Sequence, residues 1–235
     1  MSVSIGAVVL AAGMAVRMGR QKLLLPLDGK PMLTHVLEVV AEVPFASRVV
    51  VIGEPKEELA DLCEAQGIPS IFNEKRKSGQ ASSICLGLAE LRDGLDGVLF
   101  LQGDQPLVTK SLLKRMLETF QQIHDSKAIL VPMHAGVMRS PILFGAHWLK
   151  ELALLKEDCG GKELVRRYPE HVKTLAWAEP FVFEDADTWE EYLRLQRLSL
   201  QCLCFLSCQT LIQANIATKT TALRPIFQSE LLRLG

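Results

Sequence analysis

What this chain lacks narrows it first. No Lys or Arg precedes its first apolar run: MSVSIGAVVLAA reaches residue 12 with neither. A secretory leader opens on a basic segment followed by a longer apolar one, so none is expected here. No stretch approaches the ~18 uninterrupted apolar residues of a membrane span. The greasiest late segment, SLQCLCFLSCQTLI, is broken by Ser and Gln. Net charge of one sign is also missing: at −1, nothing overall attracts nucleic acid or an anionic membrane. Any affinity for phosphate must then be local. Of the six cysteines, Cys63, Cys85 and Cys159 stand alone in apolar or helical contexts, where a reduced thiol is usual. Cys202, Cys204 and Cys208 cluster, but no His follows them to complete a zinc set. A soluble, cytoplasmic protein without nucleic-acid or membrane partners is the expectation.

Two glycine signatures are missing as well. The segment LAAGMAVRMGRQK, Leu10 to Lys22, ends an apolar run at Gly13 and then sets out Arg17, Arg20 and Lys22. A dinucleotide-binding turn needs G-x-G-x-x-G, which Gly13 and Gly19 do not supply. A Walker loop needs four residues between its glycines and a following Lys-Ser or Lys-Thr. Here five residues intervene and Arg20 follows. What remains is a phosphate loop of another type. Gly13 permits a sharp turn, the next backbone N–H groups can converge on an anion, and Arg17 and Lys22 add a fork and a point charge.

What is present is ample core material, 49% hydrophobic against 23% charged, arranged in alternation. Apolar runs of strand length (4–11, 48–52, 69–72, 96–101, AILVPM and PILFG) alternate with amphipathic segments such as MLTHVLEVVAEV, SSICLGLAELRDG and KSLLKRMLETFQQI. Pro31 occupies a favoured first helical position, and Thr109 suits an N-cap. Buried strands alternating with helices predict a parallel-rich sheet covered on both faces, with ligands at the strands' carboxyl ends. Beyond Gly145 the pattern predicts helices over HWLKELALLKE and KELVRRY, a strand around VKTLAW, and a terminal helix capped by Asp187 or Thr188. From about Leu198 acidic residues vanish until Glu230. The expected division is a domain over 1–198 and an appendage over 199–235.

Three further segments carry candidate chemistry. In GDQP, Asp104 follows a buried strand, where a carboxylate needs a cation facing it or a tight turn to hold it. A hard divalent ion shared with substrate phosphates would satisfy it. In EDADT, Asp185 and Asp187 share a face of extended chain, and either one could join Asp104 or cap the helix that follows. In KSGQASS, small and hydroxylic side chains open a helix and could hydrogen-bond a base or sugar.

In order, LAAG-x-x-x-RMG-x-x-K, G-x-x-SS, GDQP and D-x-DT resemble the MobA-like nucleotidyltransferases, and within them the molybdenum cofactor cytidylyltransferases. The resemblance covers about residues 4 to 197. It implies a three-layer α/β/α sandwich around a Rossmann-like, mostly parallel sheet. It implies transfer of CMP from CTP to the phosphate of a molybdopterin-type cofactor with release of pyrophosphate, and a molybdoenzyme that receives the product. Leu10, Ala11, Ala12, Gly13, Met18 and Gly19 would contact the nucleotide, with Arg17 and Lys22 on its phosphates and Gly79 and Ser83 near base and ribose. Lys22, Arg17 and Asp104 would be catalytic. Asp104 and Asp187, with Asp185 in reserve, would hold Mg2+ or Mn2+. Other LAAG relatives activate different phosphorylated acceptors. The chain departs from the pattern at Ala15, at Arg139 before Pro141, and at Lys162 after the GG turn.

Overall fold

The computed structural model describes residues 3–14, 18–157 and 159–200. The chain divides into two units, Met1–Leu195 and Gln196–Gly235. The described part of the second, 196–200, is helical, and the rest of the expected appendage lies outside the described residues.

Strand β1 (Ile5–Ala11) leads through a 3-10 turn at Lys22–Leu24 into a hairpin of β2 (Pro26–Leu27) and β3 (Lys30–Pro31). Asp28 and Gly29 both adopt positive φ there, as a two-residue turn between twisted strands demands. Pro31 precedes helix α1 (Met32–Glu42) rather than opening it. Then follow β4 (Ser47–Ile52), α2 (Lys56–Ala65), β5 (Ser70–Phe72), α3 (Gln80–Glu90), β6 (Gly97–Gln102) and α4 (Lys110–Ile123). Thr109 caps α4 through Leu112 N–H. The chain continues with β7 (Ile129–His134), β8 (Val137–Met138), β9 (Ile142–Gly145), α5 (Leu149–Leu152), α6 (Gly161–Arg167) and β10 (Val172–Ala176). A last helix, α7, begins at 189.

The main sheet runs β10-β7-β9-β6-β1-β4-β5, with β8 attached to β7. Pairings of β1 with β4 and β6, of β4 with β5, and of β7 with β10 are parallel, while β9 runs antiparallel between β6 and β7. Both faces are covered, and β1 shows why its sequence is apolar without alternation. Ile5, Ala7, Val9 and Ala11 enter a core with Leu37 of α1, Leu59 of α2 and Leu112 of α4. Val8 and Ala12 enter the opposite core with Ile84 of α3 and Leu164 of α6. The result is a three-layer α/β/α sandwich. Each fully buried aliphatic side chain contributes about 1.5–3 kcal/mol through burial.

The segment expected to be one helix over HWLKELALLKE holds only a 3-10 turn at Ala146–Trp148 and the single turn of α5. Trp148 anchors it, buried and donating from Nε1 to Lys127 O at 2.6 Å. Leu154, 76% exposed, then has no core to meet, and the chain leaves the helix. β10 returns to pair with β7, so the residues beyond Gly145 complete the same sheet.

Chain order takes β1 outward to β4 and β5 and then back past β1 to β6. The switch point therefore lies between β1 and β6, where open α/β sheets form a crevice at the strand ends.

Candidate active site

The ends of β1, β4 and β6 are brought close by small residues. A Cβ at Gly53 would stand 3.1 Å from the Ala12 backbone, and one at Gly103 would stand 3.1 Å from Ala11 Cβ. Gly103 N–H also donates to Leu10 O at 2.9 Å. This contact sets Asp104, the next residue, beside the end of β1.

Above these ends opens a cleft of about 810 Å³. Leu10, Ala11, Ala12, Gly13, Lys22, Gly79, Ser83, Asp104 and Asp187 all line it, drawn from both ends of the domain. Met18 does not: it is buried with Leu25, Met32, Ala186, Tyr192 and Leu195 in a small apolar cluster, where Tyr192 OH donates to Pro26 O. Gly19 borders an adjoining hollow with Met14, Arg20 and Glu54. Arg17, with Ala15 and Val16, lies outside the described residues.

Lys22 is the centre of the polar arrangement. Its Nζ donates to Asp104 Oδ2 and to Asp187 Oδ1, each at 2.5 Å. Burial opposes the ammonium charge more than any other single influence. The Asp104 carboxylate, by charge and hydrogen bond, and then Asp187 together outweigh it, so Lys22 is held above its ordinary value. Gln21 fixes where this lysine starts. Its side chain accepts from Leu23 N at 3.3 Å and donates to Glu54 O at 2.6 Å and Gly13 O at 3.4 Å.

The choice between the two late aspartates is made by capping. Glu191 Oε2 accepts from Asp187 N, Thr188 N and Thr188 Oγ1, while Thr188 Oγ1 accepts from Glu191 N. This reciprocal capping box satisfies the start of α7 without the Asp187 side chain. The Asp187 carboxylate accepts from Lys22 Nζ. Asp185 instead lines a neighbouring polar hollow of about 290 Å³ with Asp104, Arg139 and Lys162. Its carboxyl is pushed up from the usual range, first by burial and then by the charges of Asp104 and Asp187.

Asp104 and Asp187 meet the same ammonium, so one oxygen of each lies within two hydrogen-bond lengths of the other. Two converging carboxylates open to a cleft suit a hard divalent ion that completes its shell with phosphate and water. Among the described residues no cluster of three or more His, Cys, Asp or Glu could hold a metal unaided. A metal here would therefore depend on an anionic ligand for the rest of its shell.

The cleft also contains residues that the sequence reading did not single out: Gln21, Arg76, Lys77 and Gln102. Arg76 pairs with Glu54 at 3.6 Å and lies over the Phe72 ring. The cationic run NEKRKSGQ just before α3 was the available signal, but solvated loop cations look the same in sequence.

With this geometry in view, the class of protein is clear. The MobA-like NTP transferase domain matches residues 7–172, and the chain belongs to that family. Among solved structures, it is similar to Rv0371c from Mycobacterium tuberculosis H37Rv, with 29% identity and a TM-score of 0.74 over 84% of this chain and 100% of that one. The manganese complex of that protein aligns with 28% identity and a TM-score of 0.70, over 83% of this chain and 99% of that one. The bifunctional protein GlmU of Agrobacterium fabrum is 32% identical over 115 residues, which is 48% of this chain and 25% of GlmU. The chain thus spans about a quarter of the length of that curated relative. Among the described residues no helix is long and apolar enough to cross a membrane.

Proposed function

We propose that this protein is a divalent-metal-dependent nucleotidyltransferase that moves CMP from CTP to the phosphate of a molybdopterin-type cofactor and releases pyrophosphate. The observation that carries the transfer chemistry is the joint contact of Lys22 with Asp104 and Asp187 at the mouth of the β1/β6 crevice. CTP and molybdopterin rest on the LAAG form of the first motif and on GDQP.

The acceptor phosphate is already an anionic nucleophile, so no covalent enzyme intermediate is needed. The protein's task is to hold that oxygen in line with the α-phosphorus and to offset charge that builds on the departing pyrophosphate. Gly13 and the backbone before it hold the triphosphate. Lys22, released from the carboxylates as phosphate arrives, supplies the positive charge. Asp104 and Asp187 would hold a divalent ion, Mg2+ or Mn2+, which would supply positive charge against the triphosphate; the manganese complex of Rv0371c supports a metal of this kind. The polar hollow with Arg139 and Lys162 shares Asp104 with the cleft. Arg139 and Lys162 would offer positive charge to an acceptor phosphate there.

The test offers CTP, GTP, ATP and UTP with Mg2+ and molybdopterin and follows pyrophosphate. Release with CTP alone supports the reading. Release only with another phosphorylated acceptor, such as a sugar phosphate, keeps the transfer chemistry and replaces the acceptor. Binding without turnover identifies a cofactor-holding maturation factor for a molybdoenzyme instead.

A further inference from the structure

Asn73 lies just beyond β5, is 2% exposed, and is absent from the cleft lining. Its backbone N–H donates to Ile52 O at 2.9 Å, which ties it to the end of β4. Its side chain is fully engaged on both ends. Oδ1 accepts from Lys75 N at 2.9 Å. A backbone N–H can only donate, so the amide's orientation is settled by that bond, and its other end must be the NH2 group. That group donates one proton to Ser82 Oγ and one to Ser83 Oγ, each at 2.9 Å.

A consequence follows for the two hydroxyls. Each accepts from Asn73 and has a single proton of its own to give. Ser82 gives its proton to Gly79 O at 2.9 Å, with Lys75 O at 3.2 Å beside it. Ser83 has no acceptor for its proton among the described residues, and it faces the cleft beside Gly79 and Gln80.

We propose that Asn73 is a positioning residue of the nucleotide site. It holds the Ser83 hydroxyl as a hydrogen-bond donor to the cleft, so the part of the nucleoside lying against Ser83 is an acceptor, a carbonyl oxygen or an unprotonated ring nitrogen. The inference rests on the nucleotidyltransferase reading and deepens it. Asn73 never touches the ligand and acts through one hydroxyl.

Asn73→Asp tests this, because it keeps the shape and reverses the polarity. A carboxylate at 73 accepts from the serines, which turns the Ser83 proton away from the cleft. CTP affinity is measured by calorimetry with Mg2+ and no acceptor, for wild type, N73D, S83A and the double variant. The expected result is about tenfold weaker CTP binding in N73D and in S83A, the loss of one neutral hydrogen bond. The double variant should bind no more weakly than S83A. For N73D, kcat at saturating CTP should stay within about twofold, since the reacting atoms are untouched. Losses that multiply in the double variant, or unchanged affinity in N73D, overturn the inference.

If the buried carboxylate prevents folding, Asn73→Ala carries the same cycle. A measurement on the native protein also decides. The Asn73 side-chain 15N–1H signals should shift on CTP addition in wild type and stay put in S83A, and signals that ignore CTP in wild type overturn the proposal. Failure of the wild type to bind any nucleoside triphosphate overturns the nucleotidyltransferase reading together with this one. Binding by the wild type with N73D unaffected removes only this one.

Discussion

Lys22 Nζ and Asp187 Oδ1 lie 2.5 Å apart although 165 residues separate them in the chain. Asp104 Oδ2 is held by the same nitrogen. The ammonium's value is raised, so this contact's contribution to stability is fully present below the lysine's ordinary 10.5 and fades only as pH rises through the folded value. Lys22 is therefore charged at neutral pH, which the phosphate role requires. Lys22→Ala should lower pyrophosphate release about 10²–10³-fold, the usual loss for one preorganised charge donor. Its circular dichroism should remain native, because water reaches the half-exposed Asp187. Near-normal turnover would remove Lys22 from the chemistry.

The two late aspartates should separate in metal binding. Asp104→Asn and Asp187→Asn should each weaken Mn2+ binding in the presence of CTP by more than about tenfold. Asp185→Asn should change it less, because Asp185 does not line the cleft and Lys22 donates to Asp104 and Asp187 instead. Paramagnetic resonance of free Mn2+ reads this directly. A larger loss from D185N than from D187N would exchange their roles.

Gly79 precedes α3 with φ 100° and ψ 176°, a combination that side chains exclude. Gly79→Ala should cost about 1–3 kcal/mol. The melting temperature should fall by roughly 2–4 °C per kcal/mol for a domain of this size. Because Gly79 lines the cleft, nucleotide affinity should fall with it. An unchanged melting curve would mean the turn relaxes freely.

Cys63 is buried in the α1/α2/α4 core, and burial pushes its thiol up to about 12, against a smaller opposing pull from Ser70. The unfolded thiol titrates near 9.0. The folded state thus keeps its proton where the unfolded state has lost it, and stability declines as pH rises from 9 toward 12. Cys63→Ala should lower stability at pH 7 through the cavity it leaves, yet flatten the decline above pH 9. Urea unfolding at pH 7 and pH 10.5 in both proteins measures the difference, and equal slopes would sink the assignment.

The last capping box offers a separate check on how Asp187 is placed. Thr188→Ala removes the hydroxyl that accepts from Glu191 N, at a cost of about 1 kcal/mol. It also loosens the turn that presents Asp187. Mn2+ binding should weaken in T188A although Thr188 itself lines no part of the cleft.

Local chemistry determined most of the fold. β1, β4 and β6 are continuous apolar runs because both faces of the sheet are covered, and a chain that must be buried on both sides says so residue by residue. The helices carry their own period, and Thr109 its own cap. Lys22, nine residues after Gly13, was legible for the same reason, since it needs no distant partner to be noticed; Gly13 itself does not take the positive φ expected of it. The short α5 was not legible, because its end depends on what Leu154 meets and not on its own spacing. Nor was the place of Met18, which a phosphate-loop motif puts beside a nucleotide and which the structure buries against Tyr192 and Leu195. Arg76 and Lys77 look like any solvated cations until β5 and α3 fold them over the cleft. The choice of Asp187 over Asp185 as Lys22's partner also belonged to tertiary structure. Both carboxylates precede a helix, and only the Thr188–Glu191 box, together with a lysine folded in from the other end of the domain, decides which one meets it.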